Sequence, residues 1–134
     1  MRVGKPPFYF SFIIFMEKEL PEADWLEEIA YVCGFREIFK IEGESMFPAL
    51  KEGDLVLINP HAELEIGDIV LAQHPFKQSV RIIKRIAEIL PGEKYILLGD
   101  NLPESSDSRS FGAIAARDIL GKAEAKIKPE PEAE

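Results

Sequence analysis

One cysteine, two histidines and a shortage of basic residues set the outer limits of what this chain can do. Cys33 alone can form neither an internal disulfide nor a zinc centre built from several cysteines, so neither device staples the fold. No metal or other cofactor is expected. Histidine is the commonest general base, and chemistry that needs one can look only to His61 and His74. With 16 Lys and Arg against 24 Asp and Glu, the formal net charge is −8. No positive field gathers phosphates, which argues against nucleic acid and anionic lipid as nonspecific partners. Long apolar runs are missing too: FYFSFIIFM, residues 8–16, is far short of the about 20 apolar residues that cross a bilayer.

What is present fits one domain, since 134 residues can bury one real core but not two. Basic residues ahead of the 8–16 run resemble the start of a secretory signal, but no small-x-small cleavage site precedes the acidic EKELPEAD. The run reads as a buried strand, with contact to a membrane surface as the alternative. EADWLEEIAYVCG then places Trp25, Ile29, Val32 and Cys33 at helical spacing, with acids in the first turn and Gly34 as C-cap. From residue 37 the chain turns to short β-rich runs, EIFKIEG, DLVLIN, DIVLAQ, SVRIIKRIAEI, KYILLG and ILGKAEAKI, punctuated by Gly-Asp, Asn-Pro and Pro-Gly turns. The expected organisation is an apolar segment and amphipathic helix over 1–36, a mainly β domain of short antiparallel strands over 37–127, and a disordered charged tail over 128–134.

Within the β domain, GESMFPALKEGD, residues 43–54, sets Ser45 between a glycine and a Met-x-Pro turn, as a nucleophile on a tight bend would be. A serine hydroxyl is a weak nucleophile until a base activates it. Both histidines adjoin prolines in turns, where exposed imidazoles are common, so neither is assigned to catalysis or metal. Glu44 is expected to point to solvent and Cys33 to be an ordinary core residue. The run over residues 79–89 offers another base. Under period-two alternation Val80, Ile82, Lys84 and Ile86 share one face, and Arg81, Ile83, Arg85 and Ala87 the other. A lysine held among aliphatic neighbours loses hydration of its charged form, so its pKa falls and the neutral amine can accept a proton. On this strand alone, a lysine that packs its stem and snorkels its ammonium to water explains the pattern as well.

The combination goes further. IEGESMFPALKEGDLVLI, GDIVLA, VRIIKRI, LLGDNLPESSDSRSFG and ILGKA, in that order over residues 38–123, resemble the sequence boxes of signal peptidase I and related Ser-Lys proteases. The resemblance implies a signal peptidase/LexA-like β fold, Ser45 as nucleophile and Lys84 as its general base. The Ser45 N–H would help hold the oxyanion. Gly43 stands where some relatives carry a second serine for the oxyanion hole, so a backbone donor must serve there. Ser105 matches the serine that aims the lysine amine, and Asp107 and Arg109 match a supporting ion pair.

Three functions follow from this resemblance. VRIIKRI and LLGDNLPESSDSRSFG look most like the nickel-type superoxide dismutase maturation proteases, which implies removal of an N-terminal extension from the dismutase precursor in the cytoplasm, with nickel belonging to the substrate. A signal peptidase proper, acting on exported proteins at the membrane face, predicts a spanning helix and a larger inserted β domain; residues 8–16 would serve such an enzyme as a peripheral contact. A LexA-like self-cleaving switch would cut at Cys33-Gly34, but the strand leading into Ser45 occupies the short stretch between, and such switches lack the GDN-to-DSR box.

Overall fold

A computed structural model describes residues 19–127, so the expectations for residues 8–16 and for the tail lie outside the described residues. The domain is mainly β, a seven-stranded antiparallel sheet with a short helix ahead of it. The strands are β1 (Glu37–Lys40), β2 (Leu55–Asn59), β3 (Ile69–Gln73), β4 (Arg81–Leu90), β5 (Lys94–Leu98), β6 (Ile114–Ala115) and β7 (Ile119–Lys126). Their order across the sheet is β1-β2-β7-β3-β4-β5-β6.

Neighbouring residues of β3 enter different cores. Ile69 and Leu71 pack with Ile41, Met46, Leu50, Val56, Ile58 and Ile83, whereas Val70 and Ala72 pack with Ile86, Tyr95, Leu97 and Ile114. Strict alternation of side chains explains this split, and it means that both faces of the central sheet are covered. Full burial on both sides accounts for the unbroken aliphatic run of β3. In β4 the alternation is interrupted by a register irregularity between Ile86 and Glu88, opposite Leu97 and Ile96 of β5. Before that irregularity both faces of the strand are covered, and the face carrying Ile83, Arg85 and Ala87 is as buried as the face carrying Lys84 and Ile86, where the sequence pattern led us to expect it to be the more polar.

The helix, α1 (Trp25–Val32), is capped by Asp24, whose Oδ1 accepts the Glu27 N–H at 3.0 Å. Gly34 follows with φ 86°. Its amphipathic pattern does not correspond to burial among the described residues: Trp25 is 66% and Val32 81% exposed, and Cys33, expected in the core, is also exposed. The segment ahead of the helix does join the sheet. Ala23 N–H donates to Lys126 O at 2.7 Å and Lys126 N–H to Pro21 O at 2.9 Å, and Glu22 bridges Lys126 in parallel. This short pairing occupies the edge of β7 beyond the end of its ladder with β3, which stops at Lys122.

Candidate active site

Ser45 sits on the turn that follows β1. Ile41, Met46 and Leu50 are buried around it, and Leu50 N–H closes on Met46 O at 2.9 Å. These apolar anchors fix the turn from below and leave Ser45 half-buried. Gly43 enters the turn with φ 75°, a backbone that residues with a Cβ adopt at a cost, and its N–H points at Glu52 Oε1, 3.4 Å away. Glu44 is exposed, as its position beside the turn led us to expect.

Lys84 comes from the middle of β4, paired with Val70 of β3. Its Nζ lies 2.7 Å from Ser45 Oγ. Only 6% of the residue is exposed. The amine therefore does not snorkel to water. Burial lowers its pKa from the usual 10.5 to about 8, with Asp107 pulling upward and Arg109 adding to the depression. A hydroxyl and an amine that is neutral in a sizeable fraction of molecules near neutral pH thus stand in proton-transfer contact.

The loop from Gly99 to Gly112 wraps this pair. Asp107 is fully buried and is also the N-cap of α2 (Ser108–Phe111). Its carboxylate accepts from Gly99 N at 3.0 Å, Ser105 Oγ at 2.7 Å, and Arg109 N, Nε and Nη2 at 3.1, 2.9 and 3.1 Å. Burial alone raises the pKa of such a carboxyl, but the bonds from Arg109, Gly99 and Ser105 outweigh it and hold the pKa below its ordinary value. Arg109 also reaches Leu102 O at 2.7 Å and Ser105 O at 3.1 Å, so it ties the loop to itself as well as to Asp107.

Ser105 differs from expectation. Its hydroxyl donates to Asp107 instead of to the lysine amine, because an ionised carboxylate is the stronger acceptor within reach. The serine still lies against the site, since a Cβ added at Gly99 would come within 2.2 Å of Ser105 Oγ and 2.7 Å of Ser45 O. Gly99 is the residue that lets the loop and the nucleophile's turn approach so closely.

Two participants escaped the sequence reading. Arg85, next to Lys84, is fully buried, and its Nε and Nη2 form a two-pronged pair with Asp100 Oδ1 and Oδ2 at 2.9 and 2.8 Å, while Nη1 reaches Gly67 O at 2.8 Å. Asn101 bonds the nucleophile's turn twice, through its N–H to Ser45 O at 2.9 Å and its Nδ2 to Glu44 O at 3.1 Å. The available signal was the charge itself: an arginine inside an aliphatic strand and an aspartate directly after LLG each need a buried partner.

The histidines take no part in this arrangement. His61 is exposed. His74 is half-buried, where exposure was expected; its Nδ1 accepts the Phe76 N–H at 3.0 Å and its ring packs 5.0 Å from that of Phe111. Among the described residues no group of three or more His, Cys, Asp or Glu side chains is placed to hold a metal ion, and no helix is long and apolar enough to cross a membrane.

Comparison with known proteins agrees with the geometry. The chain is 29% identical to the mitochondrial inner membrane protease subunit 1 of Xenopus tropicalis, covering 72% of this chain and 74% of that protein. It is 27% identical to signal peptidase IB of Staphylococcus aureus, covering 79% of this chain but only 54% of the relative, so it spans about half of that protein's length. The Peptidase S24-like family pattern matches residues 24–123, which include the serine turn, the lysine strand and the loop around them. With a buried lysine on the serine and a family match over most of its length, the chain belongs to the Peptidase S24-like family, serine peptidases of the Ser-Lys dyad type.

Proposed function

We propose that this protein is a processing endopeptidase in which Ser45 is the nucleophile and Lys84 the general base. The observation that carries the reading is the 2.7 Å approach of the two side chains inside a site where the lysine is almost wholly buried. Ser45 Oγ attacks the scissile carbonyl carbon and its proton passes to Lys84 Nζ. The tetrahedral oxyanion is held by the Ser45 N–H. Collapse breaks the C–N bond, and Lys84 returns the proton to the departing amine. Water, deprotonated in turn by Lys84, then hydrolyses the acyl ester on Ser45. Asp107 and Arg109 shape this site without touching the reacting atoms.

The proposed substrate is the precursor of a nickel-type superoxide dismutase, met in the cytoplasm and relieved of its N-terminal extension. Support comes from VRIIKRI and LLGDNLPESSDSRSFG, residues 80–86 and 97–112, the segments that resemble those maturation proteases. A second reading, cleavage of signal peptides from exported proteins with residues 8–16 touching lipid, is favoured by the relatives that carry the names signal peptidase IB and mitochondrial inner membrane protease subunit 1. Incubating purified protein with a dismutase precursor and with an exported protein bearing a small-x-small site separates them. We expect wild type, but not Ser45→Ala, to trim the dismutase. Cleavage of the exported protein alone, above all with lipid vesicles present, establishes the second reading. Loss of the segment up to Cys33 without any substrate marks a self-cleaving switch instead.

A further inference from the structure

Glu44 O, fixed by Asn101 Nδ2, and Ser45 O, fixed by Asn101 N–H, belong to the two consecutive peptide groups that flank the Ser45 Cα. In a trans peptide the C=O and the N–H that share a plane point in opposite directions. Holding Glu44 O toward Asn101 therefore aims the Ser45 N–H away from it, and holding Ser45 O aims the Met46 N–H. Glu44 O also accepts the Phe47 N–H at 3.1 Å, so this peptide plane is pinned from two sides. Among the described residues no acceptor takes the Ser45 N–H or the Met46 N–H. Asn101 is itself held firmly: Gly99 before it is bonded to Asp107 and Asp100 to Arg85. With glycine at position 43, no side-chain hydroxyl supplements the backbone donor there.

From this arrangement we propose that Asn101 is a positioning residue for the oxyanion hole. It touches neither the substrate nor the reacting side chains of the dyad, and it acts by fixing the peptide whose N–H receives the developing negative charge. The inference rests on Ser45 being the nucleophile but not on the identity of any peptide substrate, so its test uses an activated ester. With p-nitrophenyl acetate, Ser45 Oγ forms a bond to the acetyl carbon, the C–O bond to p-nitrophenolate breaks, and the serine proton passes to Lys84. Acetyl-Ser45 is seen as a mass increase that Ser45→Ala does not show.

Complete loss of one oxyanion donor costs about 10²- to 10³-fold in rate. Misaiming the donor should cost less, so Asn101→Ala is expected to slow acetylation about 10- to 100-fold. The midpoint of the pH–rate profile should stay where it is in wild type, because the amine is untouched, and Asn101→His, which can offer a ring N–H near the position of the amide, should recover part of the rate. A rate within twofold of wild type overturns the proposal. So does a fall accompanied by a displaced midpoint, which would show that the dyad itself had been disordered. If wild type is acetylated yet cuts no peptide, the processing reading fails while this inference stands. If wild type is not acetylated at Ser45, both fall.

Discussion

Replacing Lys84 by methionine should abolish the chemistry and at the same time make the protein more stable near neutral pH. Methionine has nearly the length of the lysine stem and needs no hydration, so it suits a position that is only 6% exposed. In the folded state the lysine pKa is about 8 against a usual 10.5. A tenfold change in proton affinity is worth about 1.4 kcal/mol, so keeping a protonated lysine in this site costs on the order of 3 kcal/mol of folding free energy at pH 7. The sign follows from proton counting. Between pH 8 and 10.5 the unfolded chain binds the proton that the folded chain has released, so wild-type stability rises with pH across that window and the penalty is at its full size below it. Lys84→Met carries no such dependence. Urea unfolding at pH 7, 8, 9 and 10 should show the variant ahead by about 3 kcal/mol or less at pH 7, with the gap narrowing by at most about 1.4 kcal/mol for each step of one in pH. A variant less stable than wild type at pH 7, or a gap that ignores pH, would refute the claim that desolvation sets the state of this lysine.

The same group predicts that the rate of acyl transfer rises with pH through a midpoint near 8 and levels off above it, because the neutral amine is the active form; a flat profile from pH 6 to 10 would count against Lys84 as base. Ser45→Ala, Lys84→Ala and Lys84→Arg should all be inactive, the last because a guanidinium gives up no proton at working pH, and the Ser45→Ala/Lys84→Ala double variant should be no worse than either single one. Ser105→Ala removes one bond to the buried Asp107 carboxylate, so it should lower stability by about 1.5–3 kcal/mol and raise the acid midpoint of unfolding, since the depressed Asp107 pKa contributes stability that is lost as pH falls; a purely kinetic effect with unchanged stability would return Ser105 to the role of aiming the lysine. Asp100→Asn removes the anion of the buried two-pronged pair with Arg85 and should cost about 3–5 kcal/mol in the same urea assay, whereas a loss below about 1 kcal/mol would show that the pair holds nothing together.

Much of the fold was legible because its signals are local. Each of the six β-rich runs became a strand, with ends shifted by at most three residues. The remaining strand, β6 (Ile114–Ala115), is two residues long, and two residues show no alternation from which a strand could be read. The helix was found through its apolar spacing, the acids of its first turn and Gly34, yet that spacing said nothing true about burial among the described residues, since spacing records what a face could cover and not whether anything lies against it. In β4 the alternation correctly brought Lys84 into an apolar setting, but it misjudged the opposite face. The partner that makes a buried Arg85 tolerable is Asp100, fifteen residues on and beyond the next strand. Period-two reasoning cannot see a contact of that range.

Lys84 and Arg85 are neighbours, both cationic in water and both buried, and their different treatment explains how the strand yields a base. Arg85 receives a carboxylate of its own, aligned for two parallel bonds and free of exposure on either side. Such a pair offsets the desolvation of both its members. Lys84 receives a hydroxyl. The anion that raises its pKa is Asp107, and that carboxylate is already occupied by Gly99, Ser105 and Arg109, whose guanidinium cancels part of its field at the amine. The loop thus surrounds the lysine with a saturated acceptor and a countering cation, and desolvation wins. An unoccupied carboxylate at the same place would hold the amine charged and leave Ser45 without a base, which is why the bonds Asp107 makes to its own loop matter to a reaction it never touches.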